Sequence, residues 1–465
     1  MTNSDNRNSS RHLTIIGGGL VGALLSIVMA KRGYRVDVYE KRSDYRASDA
    51  YAGRSINLAL SDRGWNALRA AGIGSEIESV AIPMYGRMMH DLNGELTYQP
   101  YGKSQQAIYS VSRGGLNRRL VELADSLPNV NFHFDQECEK IDLENSQIWW
   151  RNTKTGETQQ QTYDLACGSD GAFSVLRSTL QKTNRFDYSQ TYLEHSYKEL
   201  HIPAGANGKF LMEKNALHIW PRHQFMLIAL PNLDGSFTCT LFLAHEADSH
   251  SQEAFNRLQT ESDVRAFVEK YFADAIPLMP DYLSVWNQNP VASLVTVRCS
   301  PWVYGKNLFL IGDAAHAIVP FYGQGMNAGF EDCFVLNQIL DECQDNWEKV
   351  LPLYQQKRVK EGNAIADLAL ANFIEMRDKV AEPMFLLRKK IEARIHELFP
   401  NDWLPLYSMV TFSPQIPYSE ALRIGKLQDD VMSKVMQQPN IAHEWHELNF
   451  GAIVKALQQK LQINV

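Results

Sequence analysis

Apolar residues open the chain in short bursts separated by turns. Residues 13–16 form a run of strand length, a small-residue apolar stretch continues to Arg32, and residues 36–39 form a second run that stops against an acid, Glu40. Runs of this length around a helix-length segment predict strand, helix, strand. Farther on, residues 54–60 set Ile56, Leu58 and Leu60 in alternation with Asn57 and Ala59, the period of a half-buried strand. Ser61 stands at the N-cap position of a helix with Trp65, Leu68 and Ala71 on one face and Gly72 near its end, and its hydroxyl is expected to cap it. Residues 85–101 predict a hairpin turning at 91–94, and Ser112 caps a helix starting at Arg113. Strand-like segments follow at 130–134, 138–143 and 148–151, and another strand runs into 164–166. It opens into an acid–glycine turn, Asp170-Gly171, and a helix with Arg177 one turn in.

Between about residues 185 and 298 the texture changes to strands at 216–220, 225–230 and 237–243, a turn at 232–235 and one helix between 253 and 272. This predicts an antiparallel sheet inserted into an α/β unit. The α/β pattern resumes with a buried strand at 308–311, and residues 347–465 read as largely helical. The expected fold class is α/β: a Rossmann-like nucleotide-binding domain over 1–184 and 300–370, an inserted antiparallel-sheet substrate domain over 185–299, and a helical C-terminal region over 371–465. A chain of 465 residues is too long for one compact core and fits two or three domains.

The candidate chemistry begins at the first turn. Gly17, Gly19 and Gly22 stand in G-x-G-x-x-G register between the first strand and helix. Gly17 serves the tight turn, Gly19 lets a pyrophosphate approach the backbone and Gly22 lets helix and strand pack closely, while the helix N-terminus offers unpaired N–H groups to the phosphates. Glu40 stands where a carboxylate accepts hydrogen bonds from a ribose, and its charge would repel a 2′-phosphate, so FAD or NAD fits better than NADP. Late in the chain, GDAAHAIVPFYGQGMNAGFEDC (312–333) puts Asp313 at the carboxyl end of its strand, where it can accept a ribityl hydroxyl proton. The turn Gly323-Gln324-Gly325 then starts a helix near Met326 and Asn327, whose free N–H groups favour a negative charge on a flat ring. No Gly-Lys-Ser/Thr follows, which excludes a P-loop. Three separated nucleotide segments and no second G-x-G-x-x-G suggest one extended FAD.

Composition adds exclusions. The chain is 45% hydrophobic and 21% charged with a formal net charge of −7, which argues against a nucleic-acid surface. Six scattered cysteines without a C-x-x-C pair suit a reducing cytoplasm rather than a disulfide framework. The pairs His443/His446 and His245/His250 lack partners at a metal-binding spacing, so no metal is expected. Residues 1–11 are polar and do not read as a signal peptide, and no window reaches the ~18 uninterrupted apolar residues of a membrane span.

The nucleotide pattern resembles the single-component flavin-dependent aromatic hydroxylases. Within them GRSINLALSDRG (53–64), LHIWPR (217–222), IALPNLDGSFTCTLF (228–242), the 312–333 run and YSMVTF (407–412) resemble the kynurenine 3-monooxygenases, over residues 12–424. The resemblance implies bound FAD, NADPH and O2 as co-substrates, and hydroxylation of L-kynurenine at ring position 3 through a flavin C4a-hydroperoxide. It carries flavin contacts onto Val21, Tyr39, Glu40, Lys41, Arg42, Ala59, Arg113, Cys138 (through its backbone), Asp313, Met326 and Asn327, beside Gly17, Gly19, Gly22 and Gly325 of the turns. It carries substrate contacts onto Arg87, Tyr101, Asn372 and Tyr407. Phe321, Tyr322 and Gln324, from their place beside the flavin turn, and also Glu375 and Met376, are possible lining residues, and no catalytic residue is assigned. Animal members carry a C-terminal apolar anchor that residues 457–465 do not resemble, so a soluble enzyme is expected. The alternatives are a flavin hydroxylase of another aromatic acid, and a non-catalytic FAD-binding module. The sequence leaves the oligomeric state open.

Overall fold

The structure is a computed structural model and describes residues 11–47, 57–102, 106–249, 251–378 and 382–463; the side chains of 47, 376–378 and 463 lie outside the description. Arg54, at the start of an expected strand, and His250 also lie outside the described residues.

The predicted opening unit is present as strand His12–Ile16, helix Leu20–Lys31 and strand Arg35–Tyr39. The helix buries nearly every residue it has, which explains why its sequence is apolar all round rather than striped. The two strands lie side by side in parallel at the centre of a six-stranded sheet, with Leu165–Gly168 and Val130–His133 on their outer flanks. Leu308–Leu310 continues the sheet in parallel, and Val303–Tyr304 closes that edge antiparallel. Strands buried on both faces read as continuous apolar runs, as residues 13–16 and 308–311 do. The largest core cluster lies around this sheet and runs from Leu13 to Tyr354.

A seven-stranded sheet stands against this unit. Its order is Ala292–Ser300, Asp187–Ile202, Phe237–Ala244, Phe225–Pro231, Ala216–Arg222, Gly86–His90 and Leu96–Pro100. All pairings are antiparallel except that of Ala216–Arg222 with Gly86–His90. The hairpin predicted at 85–101 is therefore present, and its hydrogen bonds join it to strands far later in the chain. One face of this sheet packs on helices Glu261–Tyr271 and Tyr282–Gln288 through Trp220, Phe237, Phe267 and Trp286. The opposite face, through Met226 and Phe242, packs on Tyr322, Leu368, Met409 and Tyr418. The last helices, from Pro383–Leu398 to Phe450–Ile463, have a further core of their own around Trp403 and Met432, whereas helix Trp347–Asp378 packs into the other cores.

Among the described residues no helix is long and apolar enough to cross a membrane, and no group of three His, Cys, Asp or Glu is placed to hold a metal ion.

Candidate active site

The glycine turn divides its labour as its spacing predicts. Gly17 has φ +103°, and a Cβ there would lie 2.7 Å from the Ser169 carbonyl oxygen; at Gly22 a Cβ would lie 2.1 Å from the Gly17 oxygen. A Cβ on Gly19 would meet nothing within 4 Å. Gly19 is also the N-cap of the Leu20–Lys31 helix with no side-chain cap, so the first-turn N–H groups have no side-chain acceptor. Gly17 and Gly22 make the turn, and Gly19 keeps it approachable.

Glu40 is buried, and its carboxylate accepts the Gly18 N–H at 2.9 Å, the Arg42 N–H at 2.9 Å and Arg42 Nε at 2.7 Å. Burial alone would raise its pKa, but Arg42 and these backbone donors outweigh burial and hold the carboxyl below its usual range. Tyr39 is fixed with its ring between His133 and Trp150, centroids 4.5 and 3.9 Å away, and its hydroxyl donates to Gln161. Cys138 pairs across the strand with Trp150, and burial pushes its thiol far up, which leaves the sulfur chemically quiet. Lys41, Arg42 and Arg113 are exposed, Arg113 at the first position of a helix that Ser112 caps through the Gly115 N–H.

The three nucleotide segments meet at this turn. Ser169 Oγ donates to the Gly17 carbonyl at 2.8 Å, and Arg177 donates to the Ala172 and Ala314 carbonyls, tying the Asp170 turn to the Asp313 helix. Asp170 accepts the Val175 N–H at 2.7 Å with one oxygen, while its other oxygen is buried without a partner among the described residues. An orphaned buried oxygen is rare and marks a place built for a ligand or water. Gly312 (φ +61°) and Gly329 both close on Val21, where a Cβ would lie 3.0 and 2.6 Å from its side chain. Asp313 is exposed at the carboxyl end of its strand. Gly325 begins the helix Gly325–Glu342, Met326 is buried, and Asn327 spends its side chain on the turn. Its Oδ1 accepts the Ser61 N–H at 2.9 Å, and its Nδ2 donates to the Ala59 and Gly323 carbonyls at 2.8 Å each.

One expectation is corrected here: Ser61 occupies the N-cap position but makes no side-chain cap, because its hydroxyl turns to Gln324 Oε1 at 3.4 Å. The N-cap hydroxyl has been drawn away by a tertiary partner. An open glycine face, a glycine-enforced turn, an anionic Glu40 and an orphaned Asp170 oxygen together fit an extended dinucleotide such as FAD.

Beside this cleft, Arg87 rises from Gly86–His90, opposite Leu217. Its guanidinium lies 5.3 Å from the Tyr101 ring centroid and 4.8 Å from that of Tyr407. Burial works against its charge, but the phenols of Tyr407 and Tyr101 outweigh burial and raise its pKa. Among the described residues the buried Tyr101 hydroxyl makes no well-formed hydrogen bond, with Arg87 and Tyr407 as its polar neighbours. Tyr407, on the short helix Leu406–Phe412, stacks on Tyr101 and on Tyr322, at centroid distances of 5.6 and 5.7 Å. Tyr322 immediately precedes Gly323 of the flavin turn, so three phenol rings lead from Arg87 to that turn. Phe321 packs on Phe373 and Phe242, and its carbonyl accepts Asn372 Nδ2 at 2.8 Å.

Arg87, Tyr101, Tyr407 and Tyr322 thus form one cluster with Phe321 and Asn372 alongside. Two of the other named residues turn elsewhere. Gln324 is buried and accepts the Tyr418 hydroxyl at 3.0 Å, and Glu375 forms an ion pair with Lys389 at 3.1 Å. Met376 lies on helix Trp347–Asp378, with its side chain outside the description.

A family described as an FAD binding domain matches residues 11–369. The kynurenine 3-monooxygenase of Flavobacterium johnsoniae is 45% identical over 452 residues, covering 97% of this chain and 100% of that protein. The chain belongs to the kynurenine 3-monooxygenase family. The kynurenine 3-monooxygenase of Sus scrofa is 43% identical over 94% of this chain and 90% of its own. Among solved structures, the tetrameric form of 2-methyl-3-hydroxypyridine-5-carboxylic acid oxygenase superposes with a TM-score of 0.64 at 20% identity, covering 81% of this chain and 95% of that one. At that identity the likeness is one of fold.

The sequence pattern did not disclose a set of buried charges in this kynurenine 3-monooxygenase family member. Arg63, Glu331, Asp332 and Arg358 are all buried. A signal existed: Glu331-Asp332 is a pair of acids between Phe330 and Cys333 in an otherwise apolar stretch, and acids in such a setting are retained when cations meet them.

Proposed function

We propose that this chain is a flavoprotein monooxygenase that hydroxylates L-kynurenine at ring position 3, with NADPH and O2, giving 3-hydroxykynurenine. The observation that carries the reading is Arg87, a sheltered guanidinium set against the rings of Tyr101 and Tyr407 beside the flavin turn. An amino-acid carboxylate is the group that such a fork is built to take. The buried Tyr101 hydroxyl, which makes no well-formed hydrogen bond among the described residues, and Tyr407 supply further polar contacts, and Asn372 stands at the edge of the site.

FAD would be held by Gly17, Gly19, Val21, Gly22, Tyr39, Glu40, Lys41, Arg42, Ala59, Arg113, Cys138, Asp313, Gly325, Met326 and Asn327. When bound and reduced by NADPH, it supplies the activation of O2 and the transfer of one oxygen atom. The chain's own residues bind, orient and exclude water. Arg87 anchors the amino-acid end of the substrate, and the phenol rings set the plane of its aromatic end toward the flavin turn. Phe321, Phe242 and Phe373 form an apolar wall that keeps water away from the reacting atoms. The aniline nitrogen of kynurenine activates the carbon ortho to it, so the substrate needs no strong base from the protein. Burial pushes Tyr101 and Tyr322 well above their ordinary pKa, so both act as neutral phenols.

Six free cysteines support a reducing, cytoplasmic setting. The test is NADPH oxidation by the purified yellow protein with and without L-kynurenine, followed by chromatography of the product. Stimulation with 3-hydroxykynurenine is the expected result. Stimulation that yields only H2O2, or no stimulation, overturns the substrate assignment.

A further inference from the structure

Tyr407 rides on a seven-residue helix, Leu406–Phe412. A helix so short has little stability of its own, and its last carbonyls have no partner within it. In this protein they are met by Arg63, from a distant segment. The Arg63 side chain has no exposure; its Nε donates to the Val410 carbonyl at 2.7 Å and its Nη2 to those of Met409 at 3.2 Å and Ile416. Its plane lies over the Tyr418 ring, 3.9 Å from the centroid. One guanidinium thus closes the carbonyl end of the helix, where positive charge is favoured.

The other side of Arg63 faces the flavin segments. Nη1 donates to Glu331 at 2.6 Å, the second oxygen of Glu331 accepts Arg358 at 2.8 Å, and Arg358 Nε donates to Asp332 at 2.7 Å. The remaining Asp332 oxygen accepts the Gly312 N–H at 3.0 Å and meets His316 Nε2 at 2.6 Å. Two guanidinium groups and two carboxylates balance, so the array sits buried without net charge. A second tie runs parallel to it, from the Tyr418 hydroxyl to Gln324 in the flavin turn.

We propose that Arg63 is a positioning residue for the substrate carboxylate site: by gripping the carbonyl end of Leu406–Phe412 it sets Tyr407 against Arg87. Through Glu331, Arg358 and Asp332 it mounts that helix on the same frame as Gly312 and Asp313. The inference rests on the kynurenine reading for its ligand.

The experiment uses the full-length FAD holoenzyme as wild type, Arg63→Lys and Arg63→Ala. Lysine keeps the buried charge opposite Glu331 but cannot fork to several carbonyls. Arg63→Lys should raise the KM for L-kynurenine about tenfold or more while kcat changes less than about threefold, with FAD content unchanged. Amide exchange over residues 406–416 should accelerate about tenfold in the absence of substrate. Added guanidinium ion should restore KM in Arg63→Ala by refilling the site. A KM within about twofold of wild type in Arg63→Lys, together with unchanged exchange over 406–416, overturns the proposal. So does a KM rise accompanied by loss of FAD that guanidinium does not reverse. If wild type fails to turn over L-kynurenine, the functional reading fails on its own account, and the exchange measurement still decides whether Arg63 holds the helix.

Discussion

Tyr101 and Tyr407 meet ring to ring, 5.6 Å apart and 11° from parallel, with Arg87 set against both. One comes from just beyond a sheet-edge strand and the other from a C-terminal helix. The three side chains therefore come together only where the two docked segments trap a guanidinium, and the behaviour predicted for the proposed carboxylate site follows from that.

Arg87→Ala removes the charge and leaves the nucleotide cleft intact. A charge-assisted bond is worth roughly 1.5–3 kcal/mol, so the KM for L-kynurenine should rise about 10- to 150-fold while the flavin stays bound. Steady-state kinetics beside the visible spectrum checks this. An unchanged KM would remove Arg87 from the site.

Tyr101→Phe separates substrate binding from stability. The hydroxyl makes no well-formed hydrogen bond among the described residues, only loose contacts with Arg87 and Tyr407, so its loss should leave Tm nearly unchanged. If the hydroxyl meets the ligand, KM rises all the same, by about 3- to 10-fold for a bond of roughly 1 kcal/mol. A fall in Tm would show that the hydroxyl serves the fold.

Gly22→Ala places a methyl group 2.1 Å from the Gly17 carbonyl oxygen and 2.6 Å from the Ser169 hydroxyl, and the fixed backbone of Gly17 leaves it no room. Overpacking of this kind costs about 1–3 kcal/mol, and the turn should open enough for the protein to purify with little flavin. The ratio of flavin to protein absorbance measures it. Gly19→Ala, with no neighbour within 4 Å, should leave the apoprotein's Tm unaltered.

The acid limb of stability should carry a signature of His218, which is buried on the sheet. Its Nε2 donates to the Glu213 carbonyl at 2.8 Å, and its Nδ1 meets His90 at 2.9 Å, with Asp274 beyond at 3.2 Å. Burial pulls its pKa from 6.5 to about 4, so the unfolded chain takes up this proton first. Stability from this group is complete above pH 6.5 and is lost as pH falls toward about 4, by about 3 kcal/mol in total. Urea unfolding across that range should show the slope, and His218→Asn should flatten it. An unchanged slope in the variant would assign the acid sensitivity to other groups.

The legibility of this chain follows the range of the interactions concerned. Gly17, Gly19, Gly22 and Glu40 act through a local turn, so their spacing alone announced it. The hairpin around Asp91–Gly94 was visible for the same reason, but its docking on Ala216–Arg222 was not, because the pairing partner lies far along the chain. The long strand Asp187–Ile202 escaped notice because its first half is largely exposed and so lacks the alternation of a one-sided strand. Arg87 and Tyr101 are unremarkable as letters, and only the longer runs resembling a known family singled them out. Arg63 sits in a polar-looking SDRGW segment whose charge vanishes from the surface only when Glu331 and four backbone carbonyls surround it. Ser61 shows the converse: the local signal for a cap was present, and a neighbour across the fold took its hydroxyl.

The parallel pairing of Gly86–His90 with Ala216–Arg222 sets an order of events during synthesis. A ribosome releases Arg87 long before the strand that will hold it, and Tyr407 long after both. Until then the hairpin presents an open strand edge and an unaccompanied arginine, held apart from the glycine turn that its own stretch of chain follows. The cluster around Arg87 cannot close before residue 407 is made, so a truncated product that ends short of it would have the glycine turn and lack Tyr407 against Arg87.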